Sequence, residues 1–184
     1  MSSDAVIIIR PRHHVETGLC QGAALVSIAG HNGPSPRLGD RWPHRHDLRF
    51  DDVPAPKLMM IDGLWRGPTE ADLQAAIDFA RMAPRPLIVH CEQGKSRSAG
   101  IALAVLADQL GPGQEGEAVR QMMAAALEES RAQPNPLLVT MADRLLGREG
   151  HIWAALMAGC PSFASWVKYW QRLGAWPRDE EVDS

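Results

Sequence analysis

The sequence predicts a single α/β domain with a mainly parallel central sheet and helices on both faces. Short β-branched runs alternate along the chain with longer apolar stretches of helical spacing, and this alternation is typical of parallel sheets. Prolines and glycines separate the segments, as expected for turns. With 184 residues and 45% hydrophobic content, the chain is long enough to bury one sizeable core.

Three strands are predicted in the first third of the chain, at residues 5–9, 23–28 and 47–52. The first two are short apolar runs, and the third alternates apolar with polar side chains. Residues 30–46 are rich in Gly, Pro and His and indicate a loop between the second and third strands.

The next helix is predicted to begin at Thr69, because Asp72 lies where a side chain can reach back to the cap. It ends before Pro84. Its predicted buried stripe consists of Leu73, Ala76, Ile77 and Ala80. The apolar run at residues 87–89 then predicts a buried fourth strand, and the almost wholly apolar residues 98–110 predict a buried helix.

Further helices are indicated downstream by helical spacing of apolar residues. The first is marked by Val119, Met122, Met123, Ala126 and Leu127, and the second, ending at Gly147, by Leu138, Met141, Ala142 and Leu145. Residues 151–176 hold four of the six tryptophans. One face of a helix predicted there carries Phe163, Trp166, Val167, Trp170 and Leu173. We expect this face to dock on the domain rather than to bind a partner or a second copy.

Composition and charge exclude several classes of protein. The net charge of −3 gives no reason to expect nucleic acid or an anionic membrane as a partner. An odd, widely spaced set of cysteines argues against a disulfide framework and for a reducing compartment: Cys20, Cys91 and Cys160. No stretch is long enough to span a membrane or to form a signal peptide, so a cytoplasmic protein is expected. No metal-ligand spacing is present, and His44 and His46 are interpreted as a solvated loop pair.

The segment between the fourth strand and the helix after it reads His90-Cys91-Glu92-Gln93-Gly94-Lys95-Ser96-Arg97-Ser98. A loop from a strand end to a helix start can turn its backbone N–H groups onto an anion, and the helix dipole adds positive charge. The same field favours the thiolate form of Cys91. Arg97 supplies a planar guanidinium that binds two oxygens of a phosphate. These residue types at this spacing indicate a phosphate site with a thiolate nucleophile in it.

The loop resembles the signature of the protein tyrosine phosphatase superfamily, His-Cys-x-x-Gly-x-x-Arg-Ser/Thr, at every fixed position. It is similar to the dual-specificity branch. The segments at residues 50–52 and 134–150 are also similar to small bacterial tyrosine-phosphatase-like proteins. The resemblance implies a catalytic domain at residues 1–150. Residues 151–184 then form a Trp-rich C-terminal helical extension with an acidic tail, which we expect to pack on the same domain.

The resemblance implies hydrolysis of phosphomonoesters in two steps, without a metal or another cofactor. Cys91 would attack phosphorus to give a phosphocysteine while an aspartic acid protonates the leaving oxygen, and the same aspartate would then assist water. Ser98 would donate a hydrogen bond to the departing thiolate, and His90 would fix the loop from behind. The residues implied to bind the phosphate are Glu92, Gln93, Gly94, Lys95, Ser96 and Arg97.

The general acid has two candidates. The family's Phe-x-Asp pattern, placed on residues 50–52, selects Asp52, whereas counting back from the helix at residues 76–79 leads to Asp62. Asp62 precedes a glycine and could be an ordinary turn residue. Asp51 could be a solvent-facing neighbour. We prefer Asp52, because a loop just past a strand end faces the same edge as the cysteine loop.

Two positions in the loop bear on the substrate. Gln93 stands where the family usually has a small residue, and Lys95 adds a second cation, as in superfamily members that act on phosphoinositides; Glu92 partly offsets it. Four arginines in or beside the loop before the third strand could contact an acidic substrate or could be solvated: Arg37, Arg41, Arg45 and Arg49. The predicted partner is a phosphorylated protein or a small phosphomonoester. The leading function is a phosphotyrosine or dual-specificity phosphatase, with a phosphoinositide or inositol-phosphate phosphatase and a catalytically weak phosphate-binding protein as alternatives.

Overall fold

The central sheet contains four parallel strands in the order β1-β4-β2-β3. A computed structural model describes residues 6–55, 65–128 and 131–174. Within these ranges the strands are β1 (Ile7–Pro11), β2 (Ala24–Ala29), β3 (Arg45–Arg49) and β4 (Leu87–Cys91). β4 lies between β1 and β2, with Pro11 opposite Cys91 and Val26 opposite Val89. Because all four strands are parallel, their carboxyl ends meet at one edge of the sheet, and Cys91 lies at that edge.

Seven α-helices accompany these strands in the described ranges. They are α1 (Arg12–Thr17), α2 (Glu70–Met82), α3 (Arg97–Leu110), α4 (Glu115–Ala125), α5 (Pro136–Leu145), α6 (His151–Gly159) and α7 (Pro161–Arg172). A short 3-10 helix spans Gly39–Arg41. The predicted α/β class with a parallel sheet is therefore confirmed, whereas α1 was not predicted.

The start of α2 follows from its sequence. The Thr69 side chain accepts a hydrogen bond from the backbone N–H of Asp72, and the Asp72 carboxylate accepts one from the backbone N–H of Thr69. The residues of α2 that are buried are those of the predicted stripe, namely Leu73, Ala76, Ile77 and Ala80. Capping and periodicity were sufficient to predict this helix.

The two faces of the sheet bury cores of different size. The larger core lies between the sheet and the helices from α2 onward, and it includes Val26 and Val89 from the strands. The smaller core covers the opposite face and consists of Val15, Leu25, Leu38, Trp42 and Ile88. Strand alternation produces this division, because neighbouring residues on β2 and β4 point to opposite faces. Helices thus flank both faces, although α1 and the loop that follows β2 cover the second face more thinly.

The third strand differs from its predicted bounds. The sequence predicted residues 47–52, but β3 spans Arg45–Arg49 and is followed by an irregular segment. β3 is an edge strand that pairs only with β2, so it can carry charged side chains that a central strand would exclude. The backbone N–H of Asp51 then bonds to the carbonyl of Arg66 instead of continuing the sheet.

Residues 151–172 form two helices, whereas the sequence predicted a single helix with one apolar face. Pro161 begins α7 directly after Cys160, which ends α6. Phe163 and Val167 are buried in the larger core, whereas Leu173 lies beyond α7 and is 58% exposed. Trp166 and Trp170 are half-buried. No helix in the described ranges is long and apolar enough to cross a membrane.

Candidate active site

The loop from β4 to α3 is held from outside through its carbonyl groups. The backbone N–H of Arg12 donates to the carbonyl of Glu92 at 3.2 Å, that of Gln133 to Lys95 at 2.9 Å, and that of Asn135 to Ser96 at 3.3 Å. The N–H groups of residues 93–96 donate to no backbone carbonyl in the described part of the chain. With its carbonyls engaged on the outside, the loop has its N–H groups free to bind an anion.

Gly94 is required by the path of this loop. Its φ of +65° is rare for residues with a side chain, and an added Cβ would lie 2.6 Å from both the carbonyl carbon of Arg10 and the nitrogen of Pro11. These are backbone atoms at the end of β1, so they cannot move aside like a flexible side chain. Only glycine lets the loop pass this close to the neighbouring strand.

Cys91 and Ser98 meet at the bottom of the loop. The Cys91 Sγ lies 3.2 Å from the Ser98 Oγ, and the two residues are 2% and 0% exposed. Ser98 belongs to the first turn of α3, where the helix dipole is most positive. The sulfur thus lies beside a hydroxyl group and the N-terminus of a helix, two features that would stabilise an anionic leaving group at this place.

Arg97 is the first residue of α3, and its guanidinium is fixed in place. Its Nη1 donates to the carbonyl of Phe50 at 2.9 Å. Its Nε is buried and has no hydrogen-bond acceptor among the described residues. A buried N–H without an acceptor is costly, and an anion in the loop would supply one. The contact with Phe50 thus orients the planar group while leaving a donor for an oxyanion.

His90 supports the loop from inside the sheet. It is 0% exposed, its Nε2 lies 2.9 Å from the Ser27 Oγ, and its Nδ1 lies 3.5 Å from the carbonyl of Cys91. Because a carbonyl can only accept, the neutral ring carries its proton on Nδ1 and the Ser27 hydroxyl donates to Nε2. Burial lowers the pKa of His90 from 6.5 to about 4, so the ring is neutral at neutral pH.

Asp52 lies at the edge of the loop and is held there by two hydrogen bonds. Its Oδ1 accepts from the Ser96 hydroxyl and from the Asn135 side-chain amide, each at 2.7 Å. Ser96 belongs to the cysteine loop itself, so one side chain separates the Asp52 carboxylate from the loop backbone. Asp52 is otherwise exposed to solvent. Of the two candidate acids, it is the one that the described structure brings to the cysteine loop.

The other two aspartates considered in the sequence, Asp51 and Asp62, differ from Asp52. Asp51 is half-buried, and its carboxylate accepts the backbone N–H groups of His31 and Arg66, each at 3.0 Å. These bonds join the loop after β2 to the segment that precedes α2, which is a structural role. Asp62 lies outside the described residues.

The remaining loop residues form the outer surface of the site. Glu92 is exposed and pairs with Arg12 at 3.4 Å, Gln93 is exposed, and Lys95 is half-buried. The negative charge of Glu92 therefore compensates the positive charge of Arg12 and not only that of Lys95.

The side chains of three of the four nearby arginines bond to other described residues, whereas Arg37 bonds to Glu16 through its backbone N–H. Arg49 donates to the carbonyl of Gly33 at 2.8 Å, Arg41 bonds to the carbonyl of Glu16, and Arg45 pairs with Asp47 at 2.9 Å. Arg37 is exposed. These contacts favour a structural role for Arg41, Arg45 and Arg49 over substrate binding.

The interpretation of His44 and His46 as a solvated pair was wrong for one of them. His44 is exposed, but His46 lies in β3, is half-buried and stacks on Phe79 with ring centroids 5.5 Å apart. It faces the larger core because it alternates with the charged residues of the edge strand. No cluster of three or more potential metal-ligating side chains occurs in the described ranges.

Sequence reasoning missed two contributors to the site. Ser27 was assigned only to a strand, and its polarity inside an apolar run was the available signal of a buried partner. Asn135 was noted only as part of a segment similar to a family. Its position before Pro136 is typical of a helix N-cap, which it is, but nothing local indicates its bond to Asp52.

Comparisons with known proteins agree with this geometry at the level of the fold. No family model matches the sequence, and no curated protein matches it. The crystal structure of Tk-PTP in the active form is similar over 79% of this chain and 94% of that one, with 14% identity and a TM-score of 0.51. Human DUSP28 is similar over 78% and 92%, with 22% identity and a TM-score of 0.48. The structure of PTPMT1 in complex with PI(5)P is similar over 79% and 96%, with 17% identity and a TM-score of 0.47.

The similarity to Tk-PTP shows a shared fold. It covers nearly all of that chain, and it confirms the fold expected from the resemblance to the protein tyrosine phosphatase superfamily. A fold of this kind accommodates many functions, so the chemistry has to be argued from the site.

Proposed function

We propose that the protein is a cysteine-dependent phosphatase that hydrolyses phosphomonoesters, acting on phosphotyrosine or on a mixed set of phosphorylated residues. The observation that carries the proposal is the position of Cys91. Its sulfur lies beside the Ser98 hydroxyl and the start of α3, in a loop whose N–H groups at residues 93–96 bond to no backbone carbonyl among the described residues and whose Arg97 has a buried Nε donor without an acceptor there. This arrangement suits a nucleophile that attacks a bound phosphate.

In the first step the Cys91 thiolate attacks phosphorus, and the bond from phosphorus to the ester oxygen breaks. The product is a phosphocysteine, and Asp52 gives its proton to the leaving oxygen. Loop N–H groups and Arg97 stabilise the three phosphoryl oxygens, where charge must be held throughout the reaction.

In the second step water attacks the phosphorus of the phosphocysteine. Asp52 now accepts a proton from the water, the bond from phosphorus to sulfur breaks, and inorganic phosphate leaves. The Ser98 hydroxyl, 3.2 Å from the sulfur, donates a hydrogen bond to the departing thiolate. The cycle returns both Cys91 and Asp52 to their starting states and consumes one water.

A second substrate class is favoured by Lys95. Lys95 belongs to the loop itself, where its carbonyl is held by Gln133, and it adds a second cationic side chain to the loop that would bind the phosphate. A phosphoinositide carries further phosphates around the ring that such a cation would attract. Phosphoinositides are therefore the alternative substrate to phosphoproteins.

Initial rates on an aryl phosphate, a phosphopeptide set and phosphoinositide vesicles test the proposal. Cys91→Ser and Arg97→Lys should abolish turnover of every substrate, because the first removes the nucleophile and the second cannot bind two oxygens in one plane. Cys20→Ser and Arg120→Lys are the matched controls, since both residues lie outside the loop and Arg120 pairs with Glu117 within α4, and they should retain wild-type rates. Full activity in Cys91→Ser would end the covalent mechanism. Tight phosphate binding without turnover in the wild type would identify a phosphate-binding protein instead.

A further inference from the structure

Asn135 uses every hydrogen-bonding position of its side-chain amide. It is 0% exposed. Its Oδ1 accepts the backbone N–H groups of Leu137 and Leu138 at 3.0 and 3.1 Å, which caps α5. Its Nδ2 donates to Asp52 Oδ1 at 2.7 Å and to the carbonyl of Val53 at 3.0 Å. The amide oxygen faces two N–H donors and the amide nitrogen faces two oxygen acceptors, so the orientation of the amide is fixed.

Ser96 supplies the other donor to the same carboxylate oxygen. Its hydroxyl lies 2.7 Å from Asp52 Oδ1, and it makes no capping bond to α3. Its carbonyl accepts the backbone N–H of Asn135 at 3.3 Å. Asp52, Ser96 and Asn135 are therefore bonded to one another in a closed set, which we call the carboxylate clamp.

We infer that Asn135 is a positioning residue for the reaction, and that the carboxylate clamp makes Oδ2 of Asp52 the oxygen that transfers the proton. This inference rests on the proposed phosphatase function. Oδ1 accepts two short hydrogen bonds, whereas Oδ2 has no donor among the described residues. An oxygen that already accepts two donors has little capacity left for a proton, so the proton resides on Oδ2.

The carboxylate clamp also links the position of Asp52 to that of Cys91. Ser96 and Cys91 belong to the same loop, so the donor that holds Asp52 moves together with the sulfur. In the first step Oδ2 releases its proton to the leaving oxygen as the ester bond breaks, and in the second step it takes a proton from the attacking water. A fixed Oδ1 keeps Oδ2 on the same side in both steps. Misplacement by about 1 Å can cost on the order of 10²-fold in rate.

Two substitutions remove the clamp by different routes. Asn135→Ser keeps a hydroxyl acceptor for the N–H groups at the start of α5, so the cap remains, but its shorter side chain loses the donor to Asp52. Ser96→Ala removes the other donor without uncapping any helix. Thr140→Ala is the matched control, because the Thr140 hydroxyl also bonds within α5 but lies away from the carboxylate.

The readout is kcat on two substrates that differ in leaving group. Asn135→Ser and Ser96→Ala should each lower kcat for an alkyl phosphate such as phosphoserine by about 10- to 100-fold, since its leaving group needs the proton. For an activated aryl phosphate the loss should be about threefold or less. Thr140→Ala should match the wild type on both, and Ser96→Thr should restore the alkyl activity lost in Ser96→Ala.

A double-mutant cycle with Asp52→Ala separates positioning from general damage. If the clamp acts through Asp52, adding Asn135→Ser to Asp52→Ala should change the alkyl rate by less than about twofold. An equal loss on both substrates that persists in the Asp52→Ala background would overturn the inference and leave Asn135 a structural cap. That result would leave the proposed function intact. A wild-type protein without Cys91-dependent turnover would instead reject the proposed function.

Discussion

The burial of His90 predicts a specific loss of stability in acid. The folded protein holds this ring neutral, with a pKa of about 4, whereas the unfolded chain binds its proton near pH 6.5. Because the unfolded state binds more protons between these values, the contribution of His90 is fully present above pH 6.5 and is lost as the pH falls toward 4. A difference of about 2.5 pH units corresponds to about 3 kcal/mol, at about 1.36 kcal/mol per unit.

Urea unfolding of the wild type and of His90→Gln at pH 7.5 and pH 4.5 measures this contribution. Glutamine keeps a polar side chain that can bond to Ser27 but does not titrate. The free energy of unfolding should fall by about 2.5 kcal/mol more in the wild type than in the variant over this interval. Carboxylates that titrate in the same range affect both proteins alike, so the comparison removes them. Equal pH dependence in the two proteins would refute the argument that His90 is held neutral by burial.

Other predictions concern the loop and the acid. Asp52→Ala should lower the rate on phosphoserine by about 10²- to 10⁴-fold and the rate on an activated aryl phosphate far less, while Asp62→Ala should stay within a few-fold of wild type; the reverse pattern would move the acid to Asp62. Gly94→Ala should destabilise the fold by at least about 2 kcal/mol in urea unfolding, against about 1 kcal/mol for Gly113→Ala, whose φ is +81° but whose Cβ would meet nothing. Equal losses would exclude the clash with β1. Peroxide should oxidise Cys91 and stop turnover, and a thiol reductant should restore it; mass spectrometry that finds Cys91 unmodified in the inactivated protein would contradict this.

Local sequence signals predicted the cysteine loop and the elements around it. The β-branched run before Cys91 and the apolar run after Ser98 fixed a strand and a helix, and the capping box fixed the start of α2. These signals work because each depends on residues a few positions apart. The loop motif in turn placed Cys91 at the carboxyl edge of a parallel sheet, as the structure shows.

The hydrogen bonds that complete the site could not be predicted from local sequence signals. Asn135 reaches Asp52 across 83 positions of sequence, and His90 reaches Ser27 across 63. No periodicity or propensity connects residues so far apart, because tertiary packing alone brings them together. The sequence therefore selected Cys91 and Arg97 as candidate site residues, while the partners that orient Asp52 and His90 required the structure.

The same long-range hydrogen bonds hold in place residues 50–53, the segment that contains Asp52. Residues 50–53 accept four hydrogen bonds from only three side chains, those of Ser96, Arg97 and Asn135. At about 1 kcal/mol for each bond, these four bonds alone contribute about 4 kcal/mol, and the backbone N–H groups of His31 and Arg66 bond to Asp51 in addition, so an open form would have a population below about 10⁻³. Two of the three donors belong to the cysteine loop, so Asp52 cannot move away without breaking a hydrogen bond to the loop that is proposed to hold the phosphate. Under the proposed mechanism the substrate would meet an acid and a nucleophile already set in place, and little binding energy would be spent on closing the site.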